Sequence, residues 1–403
     1  MGLKKRLTLF SVCFLCYFCV FSQDIKTIIL KDTITYSEEN TQKIIEFGEF
    51  IDASIHNNEP ELFLSKLDKD VFFKRILDLI PSVDPQDEYV KSFVSGMKKG
   101  LNKFPNEIIA EVENGSYYDF ISYRYDQTLQ TYFALFRLYS SESGMNYHDF
   151  RIHKKDGEMQ FSDMYLYISG ENLTETLARV MTYTMPDKKL FGLIKTPMDE
   201  GISDLIKAMT YNNTGDFKKA YKLMNGITSP LSKEKFFLIF KSLVASNVDD
   251  DKYLKSLEDL INTFSDDPTI GLNKVDYHIY KGNYYEAIQV INQLQNETED
   301  DFLNYMKANV AFQDENYDLA LNYYKYTIEN YTGFFEGQAG YLNTLVMMKK
   351  NSEAVDYLDT LIADSYEKPS LIDYIEEDDE FGENILEDLV KSKEYKIWKR
   401  KKK

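Results

Sequence analysis

Gly282-Asn283-Tyr284-Tyr285-Glu286-Ala287 and Glu315-Asn316-Tyr317-Asp318-Leu319-Ala320 decide the fold of this chain. Each places an aromatic residue three positions before an alanine, with a glycine or acidic residue two positions before the aromatic. The pattern returns at Gly215-Asp216-Phe217-Lys218-Lys219-Ala220 and at Asp251-Lys252-Tyr253-Leu254-Lys255-Ser256, and a weaker fifth copy ends in Asn351-Ser352-Glu353-Ala354. The small residues at 220, 256, 287, 320 and 354 lie 36, 31, 33 and 34 apart. A period of that length marks stacked helix pairs, because each pair leaves an apolar face that only the next pair buries. The small residue lets two helix backbones approach, the aromatic fills the wedge between them, and glycine relaxes the turn.

At these residues the chain resembles the tetratricopeptide repeat (TPR) family, with its period of 34, Gly-x-Tyr at the turn within a repeat and alanine early in the second helix. Phe240, Leu243, Leu260 and Pro268 fall in the family's columns in the second copy. Gly282, Tyr284, Ala287 and Ile291 do so in the third, and Ala308, Tyr317, Ala320 and Tyr324 in the fourth. The family's first-helix tryptophan is absent, and the second, fourth and fifth copies lack the turn glycine. The resemblance implies an all-α solenoid of about five helix pairs over 198–365, binding a protein or peptide on the concave face of its first helices. Asp276, Tyr280, Tyr305, Asn309, Phe312 and Asn343 are the positions it implies for that groove. Asparagine pairs with backbone amides whatever the ligand sequence, and aromatic rings supply buried area.

Working back toward the N-terminus, the period changes. Tyr117–Tyr125, Thr131–Tyr139, Tyr147–His153 and Met159–Ile168 are aromatic and β-branched runs that predict a four-stranded antiparallel meander. Asp156-Gly157 predicts a two-residue turn between the last pair. Asn172 with Glu175 predicts a capped helix start. Before the strands, Ile44, Phe47, Ile51 and Ile55, then Tyr89, Phe93, Met97 and Leu101, recur at helical spacing. Helices plus a meander give an α+β domain over 23–190, with a hinge from Pro186 to Pro197. In outline it is similar to the nuclear-transport-factor-like and cystatin-like cone-shaped folds, which host ligand binding, catalysis and plain adaptors alike.

Both ends carry charge signals. Lys4-Lys5-Arg6 precedes 15 mostly apolar residues, Leu7 to Phe21, and Val20 and Ser22 are small residues positioned for a cut before Gln23. Residues 1–22 therefore read as a cleaved signal peptide, too short for a membrane span. All three cysteines (Cys13, Cys16, Cys19) lie inside it, preceded by Val12, Leu15 and Phe18, which disfavours a lipid-anchored cysteine. The exported protein, periplasmic or extracellular, then has no thiol chemistry and no disulfide. Removing three cations and no acid takes the net charge from −19 to −22. That acidity argues against nucleic-acid binding, since phosphates are repelled. No later segment is apolar enough to span a membrane, which leaves peripheral association with the cell envelope. Residues 366–403 read as an acidic loop, a capping helix around Tyr395, Ile397 and Trp398, and a basic tail.

Catalytic motifs are missing, and His56, His148, His153 and His278 have no metal-ligand spacing, so no cofactor is expected. Arg137, His148, His153 and Asp163 are the candidates for an N-terminal pocket, with Asp163 expected to pair with Arg137. Asp149, Arg151 and His153 alternate onto one face, and the plain reading makes that face solvated. The composite expectation is a non-enzymatic, exported interaction scaffold. The alternative is a small-ligand receptor or an enzyme in the N-terminal domain, supplied by the repeats.

Overall fold

The computed structural model describes residues 32–80, 83–141, 144–185, 200–378 and 382–401, together with the backbone of residues 189–190 and 194–195. The leader and its cleavage site, most of the expected hinge, part of the acidic run after Glu376 and the last two lysines lie outside the described residues.

Five helices open the described chain: α1 (Glu38–His56), α2 (Pro60–Ser65), α3 (Lys69–Asp78), α4 (Glu88–Leu101) and α5 (Phe104–Glu113). Ser37 caps α1 and Asp68 caps α3, each accepting backbone N–H groups of the first turn. The meander follows as β1 (Tyr117–Asp126), β2 (Thr131–Ser140), β3 (Gly144–Lys155) and β4 (Glu158–Leu166). A short β5 (Glu171–Asn172) adds a fifth strand, in the order β1-β2-β3-β4-β5, all antiparallel. Asp156 and Gly157 take φ values of 52° and 89°, the left-handed pair that a two-residue turn between twisted strands needs. Asn172 and Glu175 form the predicted capping box at the start of α6 (Leu173–Thr184). Two two-residue strands, β6 (Lys189–Leu190) and β7 (Ile194–Lys195), pair with each other beyond it.

Five helix pairs then stack: α7 (Ile202–Asn213) with α8 (Phe217–Gly226), α9 (Lys235–Ser246) with α10 (Asp250–Thr263), α11 (Gly271–Tyr280) with α12 (Tyr284–Thr298), α13 (Leu303–Gln313) with α14 (Tyr317–Asn330), and α15 (Phe335–Met347) with α16 (Asn351–Ala363). Ala220, Ser256, Ala287, Ala320 and Ala354, the residues that set the period, are all fully buried in the second helix of their pair. The C-terminal half is thus an all-α helical solenoid. Its far end is closed by α17 (Lys368–Glu376), α18 (Glu387–Lys391) and α19 (Lys393–Arg400). Tyr395 and Trp398 of α19 are buried, and the indole N–H donates to Asp359 at 2.7 Å. Ile397, expected to dock with them, is half exposed.

The sheet is covered on both faces. Toward the N-terminal helices, Tyr132, Ala134, Phe136, Phe150 and Ile152 share a core with Ile44, Phe47, Ile51, Phe63 and Phe72. On the opposite face, Leu135, Tyr139, Met145 and Tyr147 join Leu272, Phe302, Leu303, Tyr305 and Phe334 of the solenoid in a second core. Strands buried on both sides read as near-continuous apolar runs, and β2, Tyr-Phe-Ala-Leu-Phe-Arg-Leu-Tyr over 132–139, is one. Leu272, Phe302, Leu303, Tyr305 and Phe334 lie in or next to the connections between successive pairs, so the sheet seats on the solenoid's side.

Candidate functional site

The seam between sheet and solenoid gathers the buried polar groups. Arg137 on β2 points to the solenoid. Its Nη1 donates to Asp300 at 2.8 Å and its Nη2 to Asp119 at 2.6 Å, and the guanidinium lies 4.1 Å from the centre of the Phe302 ring. Asp300, in the connection before α13, also accepts the Tyr147 hydroxyl (2.7 Å) and the Phe302 N–H (3.1 Å). Burial alone would weaken the Arg137 charge, but Asp300 and Asp119 outweigh it and raise its pKa. Around this pair Tyr139, Phe302, Tyr305 and Phe334 meet edge-on or tilted, and the Tyr139 hydroxyl donates to that of Tyr305. A cavity of about 390 Å³ opens beside them, walled by Asp119, Arg137, Glu299, Asp301 and Tyr331 among others. Gly170, at the end of the β4–β5 turn, approaches the solenoid so closely that a Cβ would lie 2.5 Å from the Thr269 carbonyl oxygen; its φ of +62° also suits glycine.

A second cleft lies along the seam at Asp149 on β3. Two pockets of about 340 and 250 Å³ share Arg124, Asp149, Tyr167 and Glu297 in their walls and form its two arms. Asp149 is 3 % exposed. Its Oδ2 accepts from Arg124 at 2.8 Å, while its Oδ1 is buried without a hydrogen-bond partner. Burial pushes the carboxyl above its usual range, although Arg124 pulls the other way. Asp149 therefore does not belong to a solvated face, as alternation alone suggested: the solenoid covers it.

The four candidates for an N-terminal pocket do not converge. Arg137 faces the solenoid. His148 faces the helices and packs against Phe104, Tyr118 and Phe150. Asn146 Oδ1 accepts the N–H groups of Tyr147 and Ile168, so its amide nitrogen is the donor to His148 Nε2 at 3.2 Å. The imidazole is therefore neutral, with its proton on Nδ1 toward the Tyr118 hydroxyl. Burial lowers its pKa to about 4. Among the described residues no arginine is in salt-bridge contact with Asp163, and Arg75 acts on it only through its field. Asp163 accepts the Thr174 hydroxyl at 2.5 Å and the N–H groups of Thr174 and Met164, anchoring the start of α6 to β4, and burial raises its pKa to about 6. The register sets Asp163 apart from Arg137: Asp163 lies opposite Arg151 and Arg151 opposite Phe133, so the two are two strands and four positions apart, and a bulge between Arg151 and Ile152 leaves Ser162 extra. His153 sits at the sheet's far end, 3.7 Å from both Asp32 and Asp68. Arg75 and Arg151 also pair with Asp32, so Arg151 and His153 join an ion cluster instead of facing solvent. The interior expected to hold a ligand is filled by α1, α2 and α3 side chains.

The six groove positions are also accounted for. Asp276 accepts the Tyr253 hydroxyl and Asn309 accepts that of Tyr324, so each ties its helix to a neighbour, while Asn343 is half-buried and its Oδ1 has no partner among the described residues. Tyr305 is 7 % exposed under the sheet, and Phe312 packs edge-on against Tyr317. Tyr280 alone among the six stands in solvent, its hydroxyl donating to Asp250. Sequence reasoning missed Arg124 and Asp300 and read Asp149 as solvated, and the unbroken apolar run of β2 was the available signal that a second layer covers this face. Asp52, His56 and Asp119 cluster within metal-binding distance, yet His56 Nε2 meets the Tyr118 carbonyl, Asp52 accepts the Phe120 N–H and Asp119 holds Arg137.

No family model matches the sequence, and no curated protein matches it. Among solved structures the chain is similar to MamA AMB-1, with 9 % identity and a TM-score of 0.33 over 43 % of this chain and 96 % of that one. Among the described residues, no helix is long and apolar enough to cross a membrane.

Proposed function

We propose that this protein is a non-enzymatic scaffold of the cell envelope, exported by cleavage before Gln23, which holds another protein on a TPR-like solenoid. The observation that carries the reading is the placement of large apolar side chains on successive first helices. Ile206 and Met209 on α7, Leu243 on α9 and Tyr280 on α11 are each at least 40 % exposed. Exposed apolar area on a curved repeat stack is the ordinary basis for gripping a peptide or helix. The sheet leaves these positions free because it occupies the solenoid's side.

A photoreactive residue placed at Met209, Leu243 or Tyr280 in the exported protein tests this. One and the same protein should be crosslinked from all three, and not from Tyr285 on the second helix α12. Equal crosslinking from Tyr285 would remove the first-helix face from the account. Intact mass of the recovered protein should begin at Gln23. Retention of residues 1–22 would turn the leader into an anchor.

A further inference from the structure

We infer that the Asp149 cleft is a binding site for an organic cation, a primary ammonium or guanidinium group carried on an alkyl chain. Three independent features point there. A buried carboxylate oxygen with no partner is costly; Asp149 carries such an oxygen, Oδ1, and its side chain lies in the lining of the cleft. It accepts and cannot donate, so its complement is an N–H or O–H group, best a charged one. The rings of Tyr165 and Tyr167 stand at right angles 5.3 Å apart beside it, the electron-rich lining that attracts a cation while shielding it from water. Glu297, exposed at the rim, adds a second carboxylate, and Leu272 gives an alkyl stem an apolar surface. Arg124 neutralises one charge of this set; with Asp149 and Glu297 ionised the cleft still carries a net negative charge.

Arg124 does not substitute for the ligand. Its guanidinium lies 3.8 Å from the centre of the Phe133 ring and reaches only Oδ2, so Oδ1 has no partner among the described residues. The cleft's volume, about 340 Å³ in its larger arm, accommodates a side-chain-sized group. A free amine and the lysine or arginine side chain of a protein segment offer the same head group. The inference does not rest on the scaffold reading, since a free amine bound here would leave that reading as it was.

Titration of the exported protein with butylguanidinium and, separately, with a short blocked peptide carrying one internal arginine tests this at pH 8, with uncharged butylurea as control. Butylguanidinium should bind at least tenfold more tightly than butylurea. Asp149→Asn should weaken it at least tenfold and Glu297→Gln about threefold, whereas Arg124→Met should leave it equal or tighter. Glu297 is on the surface, so its variant reports on binding even where Asp149→Asn perturbs folding. Binding of the peptide as well assigns the cleft to a protein side chain; binding of the small cation alone assigns it to a free amine. Absence of butylguanidinium binding, equal binding of butylurea, or loss in Arg124→Met with gain in Asp149→Asn would each overturn the proposal, the last because a cation held by Asp149 cannot gain when that carboxylate is removed.

Discussion

Asp163 and His148 lie on strands four and three, both fully buried, and their charges respond to burial in opposite ways. Asp163 holds its proton more tightly in the folded chain, with a pKa of about 6 against the usual 3.8. Its contribution is therefore complete below pH 3.8 and lost as pH rises through 6. His148 is depressed to about 4 from 6.5, so its contribution is present above 6.5 and lost as pH falls toward 4. Each shift is worth roughly 3 kcal/mol at 1.36 kcal/mol per pKa unit, and between pH 4 and 6 the two slopes cancel. Asp163→Asn, which keeps an acceptor for the Thr174 N–H, should expose the His148 slope. Urea midpoints should then fall on acidification from pH 6.5 to 4.5 more steeply than in the unaltered protein. His148→Gln should do the reverse and make the protein more stable in acid than at neutrality. Parallel pH profiles for all three proteins would show that neither group titrates within this range.

At the scale of one helix pair, the turn matters most. Gly215, Gly282, Glu315 and Lys349 all take a left-handed φ, between 55° and 77°, at the same place in their repeats. The following residue donates its N–H back to a carbonyl five positions earlier in every case: Asp216 to Tyr211, Asn283 to His278, Asn316 to Ala311 and Lys350 to Leu345. Glutamate and lysine adopt this backbone at a cost that glycine avoids. Glu315→Gly and Lys349→Gly should each raise stability by about 0.5–1 kcal/mol, read as a shift in the urea midpoint with unchanged slope. Gly282→Ala should lose about 1 kcal/mol by conformation alone, because nothing lies within 4 Å of where its Cβ would stand. The missing turn glycines of the fourth and fifth copies are thus substitutions in a conserved geometry, which is why a glycine-based reading weakens there while the period survives. Conformation persists where residue identity does not, because the helices on either side dictate the turn.

Across the whole molecule, Arg137 with Asp300 joins residues 163 positions apart and fastens the sheet to the solenoid. Removing one partner of a buried pair leaves the other charged and unsolvated. Arg137→Met should cost about 3–5 kcal/mol, and Arg137→Met with Asp300→Asn should recover part of it. Near-ultraviolet circular dichroism of the seam tyrosines and fluorescence of Trp398 report on the two parts separately. Their transitions should coincide in the unaltered protein and separate in Arg137→Met. Glu39→Gln, which breaks the exposed pair with Lys43, should leave the urea midpoint where it is.

The chain's own pattern determined what short-range physics decides: five buried small residues near a 34-residue spacing, a two-residue turn at Asp156-Gly157, a capping box at Asn172 and Glu175, and a final helix seated by Trp398. Each depends on neighbours within about a repeat, so composition and spacing record it. Which surface the sheet would face was not of that kind. Alternation placed Asp149 with Arg151 and His153 on one face, but the same alternation serves a wet face and a dry one. Only docking of the sheet on the connections before α11, α13 and α15 buried Asp149, gave Arg137 to Asp300 instead of Asp163, and turned Tyr305 from a groove residue into part of a core. Pairing across more than a hundred residues depends on the shape of two finished surfaces, and no local period carries that information.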